Sequence, residues 1–464
     1  MNVVRYIGES ESLPSDYLRC FEPDSGWVIY NSLPPGANVV VRFELDGRPL
    51  EIDFDSLTRD FLDLATLVYI ADEINVRRQA SNQWTRRFNV LFPVRNPDLW
   101  SANQKLLYSV LETLAGDHYE FTWIPRPKLH NFGNHREKMP KGYDTVCLFS
   151  GGIDSFMGAY KLLSEGKKVL FVGHQAEGTA ASAQTQLIEF LRREFPDRCA
   201  LVQCRVARST KDVIIYDLPS NDEDTHRTRS LLFLGLAIGV ARAAEIDQVY
   251  IPENGLIALN PPLGKSRLGT LSTRTVHPKY LTELCDFLNV TGIFQGSIKN
   301  PFLFSSKTDM LVGIDPKLSD ALKRSVSCAR PYLYKHLGVR HCGYCVPCIY
   351  RRTAMMSAGL DASTDYAYQI FEGMPDAEVV KQIDFRSLFA FAKKVVSATP
   401  LGRELIALSH GSFPLSAGER FGGKPVQNYD IWGEMLFRWA TDFLGKIDKV
   451  GSVRTKKALG FRSV

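Results

Sequence analysis

The sequence predicts an α/β protein that is built around a parallel β-sheet. Two observations support this fold class: short apolar runs alternate with helical patterns between residues 143 and 251, and one of these runs leads directly into a pair of glycines. Such alternation is typical of βαβ units, in which helices cover the sheet. Because 464 residues exceed one ordinary domain of roughly 150 residues, we expect three parts. They are an α+β unit at 1–140, the α/β domain at 141–360 and a helical region at 361–464.

The composition is close to that of an average soluble protein and excludes several classes. Hydrophobic residues make up 45% of the chain and charged residues 23%, which argues against a disordered, collagen-like or small disulfide-stabilised protein. The net charge of +5 is too small to indicate nucleic-acid binding. The longest apolar run, 231–241, is well short of the ~20 residues that cross a bilayer, and the N-terminus lacks a signal-peptide pattern. We therefore expect a cytoplasmic protein without membrane segments, whose thiols stay reduced.

The first 140 residues carry the patterns of the α+β unit. Asp46-Gly47 is a hairpin signal between two β-rich segments. The predicted strands are 38–45, 50–54, 88–94 and 118–124, and the predicted helices are 56–74 and 97–115. The segment 125–141 contains several prolines and little periodicity, so we interpret it as a linker. No catalytic motif is recognisable before it.

The central domain is predicted from strands that alternate with helices. The predicted strands are 145–149, 168–172, 199–206 and 248–251, and the predicted helices are 154–163, 182–194 and 228–243. Because ligands of parallel sheets bind at the carboxyl ends of the strands, the loops after these four strands are the places to look for a site. Beyond residue 360 we expect helices at 376–397, 401–409 and 429–444, followed by a solvated basic tail.

The loop after the first central strand is the most informative segment. It reads Ser150-Gly151-Gly152-Ile153-Asp154-Ser155 and stands between a buried strand and a helix. Glycines let backbone amides approach an anion closely, and amides at a helix N-terminus bind phosphate. The two serines add hydroxyl donors, and Asp154 suggests a Mg²⁺ that bridges it to phosphate oxygens. The alternative is a tight turn in which Asp154 caps the helix.

Four of the nine cysteines are clustered near residue 340. Cys328, Cys342, Cys345 and Cys348 contain two Cys-x-x-Cys steps, which suit a closed tetrahedral zinc site. Four thiolates leave no open coordination position, so we expect a structural role in which the zinc fixes the loops near the substrate. An iron–sulfur cluster is the alternative, and we interpret the other five cysteines as ordinary reduced thiols.

Further candidate residues lie between the glycine loop and the cysteines. Glu253 and Asn254 follow the strand 248–251 and could hydrogen-bond a purine-like edge, although a plain Asn-Gly turn is an equal alternative. Basic residues then crowd a loop rich in Gly, Ser and Thr, where they could stabilise phosphate charge or simply be solvated. These basic residues are Lys265, Arg267, Arg274 and His277.

The glycine loop resembles the pyrophosphate loop of the ATP pyrophosphatase (PP-loop) superfamily, whose members adenylate a carboxylate, amide or oxo group. Within it the chain is most similar to 7-cyano-7-deazaguanine synthases (QueC). The similarity recurs at Gly173-His174-Gln175, at the helix start that begins with Arg229, around Lys307 and at the four cysteines. It extends over about 143–360.

This resemblance implies an adenine-nucleotide α-hydrolase-like core, with ATP, Mg²⁺ and Zn²⁺ as cofactors and a 7-deazaguanine-type carboxylate as substrate. The implied ATP-binding residues are Ser150, Gly151, Gly152, Asp154, Ser155, Gln175 and Arg229. The expected catalytic residues are Asp154, Ser155, Lys265, Arg267 and Arg274. The expected substrate-binding residues are Glu253, Asn254, His277 and Lys307.

Departures from the family favour one branch of it. The chain extends beyond the similar region at both ends, Phe156 and Met157 stand where the family usually has threonines, and 272–278 differ from the housekeeping enzyme. These features resemble the long QueC-like proteins of bacterial antiphage systems, the Qat and type IV CBASS groups. That resemblance implies amide formation with a nitrogen nucleophile such as an amine of a protein partner, which the N-terminal unit would recruit.

Three other functions remain open at this point. They are housekeeping nitrile synthesis with ammonia, tRNA thiolation, and an ATP-bound scaffold of a defence complex. The sequence leaves the oligomeric state undetermined.

Overall fold

The structure is a computed structural model that describes residues 2–7, 27–31, 39–126, 139–175, 178–208, 223, 225, 227–261, 274–409, 413–424 and 426–461. The linker expected at 125–141 lies largely outside these residues. Within them, no helix combines the length and the apolar character that a membrane span requires.

Eleven strands and sixteen helices occur in the described residues. The strands are β1 (Asn2–Ile7), β2 (Trp27–Asn31), β3 (Val39–Leu45), β4 (Arg48–Leu50), β5 (Arg87–Val94), β6 (His118–Pro125), β7 (Thr145–Leu148), β8 (Val169–His174), β9 (Cys199–Arg208), β10 (Gln248–Tyr250) and β11 (Ser297–Lys299). The helices are α1 (Ser56–Ile74), α2 (Pro97–Ala115), α3 (Ile153–Ser164), α4 (Thr179–Glu194), α5 (Arg229–Ala243), α6 (Gly255–Leu259), α7 (Pro278–Thr291), α8 (Lys307–Leu311), α9 (Ser319–Arg324), α10 (Val346–Ser357), α11 (Ile370–Gly373), α12 (Val379–Ser397), α13 (Pro400–Leu408), α14 (Ser416–Gly422), α15 (Asp430–Val450) and α16 (Val453–Ala458).

The strands form two sheets, which confirms a mixed α/β protein with a mostly parallel central sheet. The smaller sheet has the order β2-β1-β5-β6, and its strands are parallel. The central sheet has the order β11-β10-β7-β8-β9-β3-β4. Its first five strands are parallel, whereas β3 and β4 join its edge in antiparallel pairs.

The predicted hairpin forms, but its place in the fold follows from long-range pairing. Asp46 and Gly47 both have a positive φ, of 52° and 81°, as the two-residue hairpin turn requires. The strand after the turn ends at Leu50, several residues earlier than predicted. β3 then pairs with β9 from Val39 opposite Arg208 to Leu45 opposite Val202. A hairpin from the first 140 residues therefore completes the central sheet.

The order of the central sheet fixes where a ligand can bind. β8 and β9 follow β7 on one side of it, whereas β10 and β11 lie on its other side, so the strand order reverses between β7 and β10. Such a switch point is where ligands bind in open α/β sheets. The glycine loop follows β7, and Glu253 and Asn254 follow β10.

Helices from the N-terminal and C-terminal parts of the chain pack around the central domain. Nearly every residue of α5 is buried, because one side faces the sheet and the other faces α1. Gly235 of α5 permits this close packing, since a Cβ at that position would lie 3.0 Å from the Cβ of Ala65. At the other end of the chain, α15 buries Trp432, Trp439 and Phe443 against the neighbouring helices.

Candidate active site and metal-binding site

The glycine loop makes a sharp turn from β7 into α3. Gly151 has a φ of +81°, and a Cβ there would lie 3.1 Å from the Gln184 nitrogen, so a larger residue would be strained by both conformation and space. The N-cap position of α3 is Gly152 and has no side-chain cap. The alternative in which Asp154 caps this helix is therefore wrong.

The two serines of the loop converge on its backbone. The Ser155 hydroxyl donates to the Gly152 carbonyl at 3.1 Å, and the Ser150 hydroxyl donates to Ser155 Oγ at 3.1 Å. The Gly152 amide in turn donates to Ser150 Oγ at 3.3 Å. Ser150 is exposed and Ser155 is buried, so the hydroxyl pair runs from the surface of the loop to the first turn of α3.

Asp154 is the centre of a buried polar cluster. Its Oδ2 accepts from Asn254 Nδ2 at 2.6 Å and from the Asn254 main-chain amide at 3.3 Å. Its Oδ1 forms an ion pair with the Lys307 ammonium group. Asp154, Asn254 and Lys307 are 5%, 0% and 7% exposed, so each charge depends on the other for neutralisation. A cation that binds Asp154 must share these oxygens or displace Lys307.

Glu253 lies beside this cluster and is half-buried. Burial and the nearby charge of Asp154 raise the pKa of Glu253 to about 8, although Lys307 opposes the shift. Its main chain is fixed by Asn300, whose Nδ2 donates to the Glu253 carbonyl at 2.8 Å. A carboxyl with this pKa can accept or release a proton near neutral pH, as groups in active sites do.

Asn254 is the N-cap of α6 and also contacts the glycine loop. Its side-chain oxygen accepts from the Ile257 amide at 3.1 Å and so caps α6, while its Nδ2 donates to Asp154. Binding of a purine-like edge by Asn254 stays a prediction.

Two of the four predicted basic residues have their contacts elsewhere. Arg274 Nη1 donates to the Thr113 carbonyl of α2 at 2.9 Å, and burial lowers the pKa of Arg274. His277 is buried, caps α7 by accepting from the Lys279 amide at 3.2 Å, and packs edge-on against Phe413. Lys265 and Arg267 lie outside the described residues.

Gln175 and Arg229, two of the predicted ATP-binding residues, lie next to His174 in sequence and in space, respectively. The Gln175 amide donates to the Cys204 carbonyl at 2.8 Å, and the Arg229 guanidinium stacks 4.9 Å from the centre of the Phe233 ring. His174 lies between Phe233 and Tyr69 of α1, at 5.3 and 6.4 Å between ring centres. Burial and Arg229 lower the pKa of His174 to about 4, so the imidazole is neutral at pH 7.

The four clustered cysteines could hold a metal ion. Their Sγ atoms all lie within 4.8 Å of one another, and the Cys342 and Cys348 sulfurs are 3.8 Å apart. Four thiolates at about 2.3 Å from a tetrahedral zinc have about this separation. Amide hydrogen bonds to Cys328 Sγ and Cys342 Sγ, at 3.4 and 3.3 Å, further favour the thiolate form.

The metal-binding site is connected directly to the glycine loop. The Val326 amide, two residues before Cys328, donates to the Gly151 carbonyl at 2.9 Å. The segment before Val326 is fixed by Arg351, which lies three residues after Cys348 and donates to Ser325 Oγ at 2.7 Å. A metal ion held by the cysteines would therefore stabilise the position of the glycine loop.

Ser327 is a candidate residue that the sequence did not single out. Its hydroxyl is buried and has no hydrogen-bond partner among the described residues. It lies 3.9 Å from where a Cβ of Gly152 would be, so it faces the glycine loop. An unpaired hydroxyl at this place suits an anion that the loop binds. The only signal in the sequence was its position next to Cys328.

Comparisons with known proteins point to one group. The chain is 25% identical over 235 residues to a 7-cyano-7-deazaguanine synthase of Rhizobium rhizogenes, a match that covers 48% of this chain and 91% of the relative. It is 22% identical over 234 residues to the synthase of Alteromonas mediterranea, with 48% and 98% covered. The synthase of Agrobacterium fabrum is 24% identical over 238 residues, with 48% and 91% covered.

Half of this chain is similar to 7-cyano-7-deazaguanine synthases. Neither a protein-family model nor a solved structure matches the chain. Because the relatives are matched over nearly their whole length, the other half of this chain is additional to what they contain.

Proposed function

We propose that this protein is an ATP-dependent carbon–nitrogen ligase with a PP-loop core. The observation that carries the proposal is the Asp154–Asn254–Lys307 cluster, which lies behind a glycine loop at the switch point of the sheet. The similarity to 7-cyano-7-deazaguanine synthases supports the same conclusion. The substrate we propose is a 7-carboxy-7-deazaguanine-type carboxylate.

The loop residues would bind the phosphates of ATP. The amides of Gly151 and Gly152, the hydroxyls of Ser150 and Ser155, and the N-terminus of α3 would hold the β- and γ-phosphates. Asp154 would place a Mg²⁺ ion, which supplies charge neutralisation at the phosphates. Lys307, displaced from Asp154, would then be free to contact phosphate or substrate. Lys265 and Arg267 remain predicted phosphate ligands, whereas Arg274 and His277 could take the predicted phosphate and substrate roles only if they left the contacts with Thr113 and the Lys279 amide.

The reaction would proceed in two steps. A carboxylate oxygen of the substrate attacks the α-phosphorus of ATP, the bond to the bridging oxygen breaks, and pyrophosphate leaves. A nitrogen nucleophile then attacks the carbonyl carbon of the acyl adenylate, and AMP leaves as the amide forms. Glu253 is placed to accept a hydrogen bond from the base or to move a proton.

Zinc in the four-cysteine site would have a structural role. It supplies four strong bonds that hold Cys328 and Cys348, and through Val326 and Arg351 it would hold the glycine loop. Metal analysis of the purified protein should therefore give about one zinc per chain, together with little iron or acid-labile sulfide. A stoichiometric amount of iron and sulfide would contradict the zinc assignment.

The nitrogen nucleophile separates this protein from its shorter relatives. The acceptor we propose is a protein amine, in a defence context, rather than ammonia, because the chain has an additional half that could bind such a partner. tRNA thiolation is disfavoured because burial raises the pKa of both Cys147 and Cys204, and a persulfide-forming cysteine must be a reactive thiolate.

The proposal is tested by incubating the protein with ATP, Mg²⁺, the carboxylate and a nitrogen source, either an ammonium salt or a protein amine, and by measuring AMP and pyrophosphate. We expect release of both that depends on the carboxylate. The mass of the product then identifies a nitrile, an amide or a protein adduct. If ATP binds but is not cleaved under any of these conditions, the protein is a scaffold and the proposal fails.

A further inference from the structure

The long helix α15 near the C-terminus packs against the short helix α8, which carries Lys307. The Thr308 hydroxyl donates to Asp442 Oδ2 at 2.9 Å. The Ser357 hydroxyl of α10 is 2.9 and 3.0 Å from the two oxygens of the same carboxylate, and Lys446 lies 3.3 Å away on α15 itself. Asp442 thus joins α8, α10 and α15 at one point. Its contact on α8 is Thr308, the residue that follows Lys307.

A second contact holds the same short helix. Arg438 Nη2 donates to the Phe304 carbonyl and lies near Asp309 Oδ2, at 3.2 Å in each case. Asp309 also accepts from the Ser306 amide at 2.8 Å and completes a capping box. α8 has only 5 residues, too few to be stable alone. Its position therefore depends on contacts of this kind.

A third contact reaches the other partner of Asp154. A Cβ on Gly255, the residue after Asn254, would lie 2.2 Å from Met435 Sδ and 2.4 Å from the Leu303 carbonyl. Only glycine allows α15 to approach so closely. Met435, Arg438 and Asp442 are spaced by three and four residues, so they share one face of α15. That face supports both Asn254 and Lys307.

We propose that α15 is a positioning element of the candidate active site, in which Asp442 holds the turn that directs the Lys307 ammonium group to Asp154. Asp442 is a positioning residue, because its contacts are with Thr308 and Ser357. The kinetic consequence rests on the proposed function, but the position of Lys307 can be tested without it. The inference gives the C-terminal part of the chain a role in the chemistry of the central domain.

The first test measures how readily Lys307 is acylated in the full-length protein. An N-hydroxysuccinimide ester is added, and modification of Lys307 is followed by peptide mass spectrometry. Thr308→Val removes only the hydroxyl, Thr308→Ser retains it, and Asp442→Ala removes the acceptor. Glu434→Ala is the matched control, because Glu434 lies on the same helix and pairs with Arg403 at 3.2 Å on the surface.

We expect a several-fold faster acylation of Lys307 in Thr308→Val and Asp442→Ala, and wild-type rates in Thr308→Ser and Glu434→Ala. Melting temperatures show whether a variant has lost its fold, and Thr308→Val remains informative if Asp442→Ala does not fold. Unchanged Lys307 reactivity in Thr308→Val would overturn the proposal.

The second test separates kcat from KM in the AMP-release reaction. Loss of a hydrogen bond to a charged group corresponds to about a tenfold change, so we expect kcat to fall about tenfold in Thr308→Val with little change in the KM for ATP. Thr308→Ser should restore kcat. If the wild-type protein releases no AMP, the proposed function fails while the acylation result still stands. If Lys307 becomes reactive but kcat is unchanged, the proposed positioning role in the reaction is wrong.

Discussion

Two buried charge clusters in this protein are built differently. In the N-terminal part, Asp117 accepts two parallel hydrogen bonds from Arg77 at 2.7 and 2.8 Å, and Arg86 lies 2.6 Å from the same carboxylate. Asp72 pairs with both arginines and accepts from the Thr228 amide at 2.9 Å. Burial alone would raise the pKa of Asp72, but Arg86 and Arg77 hold it below its ordinary value.

The cluster in the candidate active site has an excess of carboxylates. Among the described residues, Asp154 and Glu253 are accompanied by the ammonium group of Lys307, and burial together with the charge of Asp154 raises the pKa of Glu253. In the N-terminal cluster each carboxylate contacts two guanidinium groups, and Asp72 fixes the start of α5 through the Thr228 amide. The unbalanced cluster can gain a proton or a cation, which is the property that a reactive site needs. Four substitutions test this difference between the clusters.

Asp72→Ala should produce the largest loss of stability. It removes a buried carboxylate that pairs with both Arg86 and Arg77 and that accepts from the Thr228 amide, and removal of one member of a buried ion pair costs about 3–5 kcal/mol. Denaturant unfolding measures the effect, with Asp286→Ala as the control, because Asp286 forms an exposed pair with Arg420. Equal unfolding midpoints in the two variants would contradict a structural role for this cluster.

Asp154→Asn should remove activity, and it should also lower stability because Lys307 loses its buried partner. The amide keeps the shape of the side chain but lacks the charge that would place Mg²⁺, so AMP release should fall at least about a hundredfold. The measurement is AMP formation at saturating ATP, with the unfolding midpoint as the control for folding. Residual activity within tenfold of wild type would exclude the proposed role of Asp154.

Ser327→Ala should weaken ATP binding by about tenfold, as loss of a hydrogen bond to a charged group does. Its stability should be unchanged, because the hydroxyl has no partner among the described residues. Calorimetric titration with ATP and Mg²⁺ measures the affinity, and Ser327→Thr serves as the variant that keeps the hydroxyl. A loss of stability without a loss of affinity would show that Ser327 is only structural.

Glu253→Gln should change how stability depends on pH. Between the ordinary pKa of 4.5 and the raised value of about 8, the folded protein keeps a proton that the unfolded chain releases. Wild-type stability should therefore fall as the pH rises through this window, and the variant should lack this decrease. Melting temperatures at pH 5 and pH 8, without nucleotide or divalent cation, measure the difference. If the melting temperatures of the wild type and the variant change equally with pH, Glu253 is not the cause of the loss of stability.

Short-range features were predicted well from the sequence. The bounds of α1 and α2 match the predicted helices 56–74 and 97–115, because apolar spacing and end signals such as Pro97 and Gly116 act locally. The position of the glycine loop between a strand and a helix, and the proximity of the four thiols, follow in the same way from short sequence separations.

Contacts between distant residues were not predictable. Lys265, Arg267, Arg274 and His277 are close in sequence, yet the two of them that the structure describes contact α2 and Phe413. The hairpin 39–50 adds to a sheet whose other strands begin about a hundred residues later. In both cases the local sequence is compatible with many different contact partners, and the packing of the whole chain determines which partner is used.

The sequence by itself determined the α/β class, the glycine loop and the cysteine cluster, since each depends on residue types at short fixed spacings. The tertiary structure alone decided which charges meet. Asp154 pairs with Lys307, 153 residues later, and Asp442 holds the turn beside Lys307 from helix α15. Such pairs form because burial forces each charge to find a partner, and only the folded chain determines which partner is within reach.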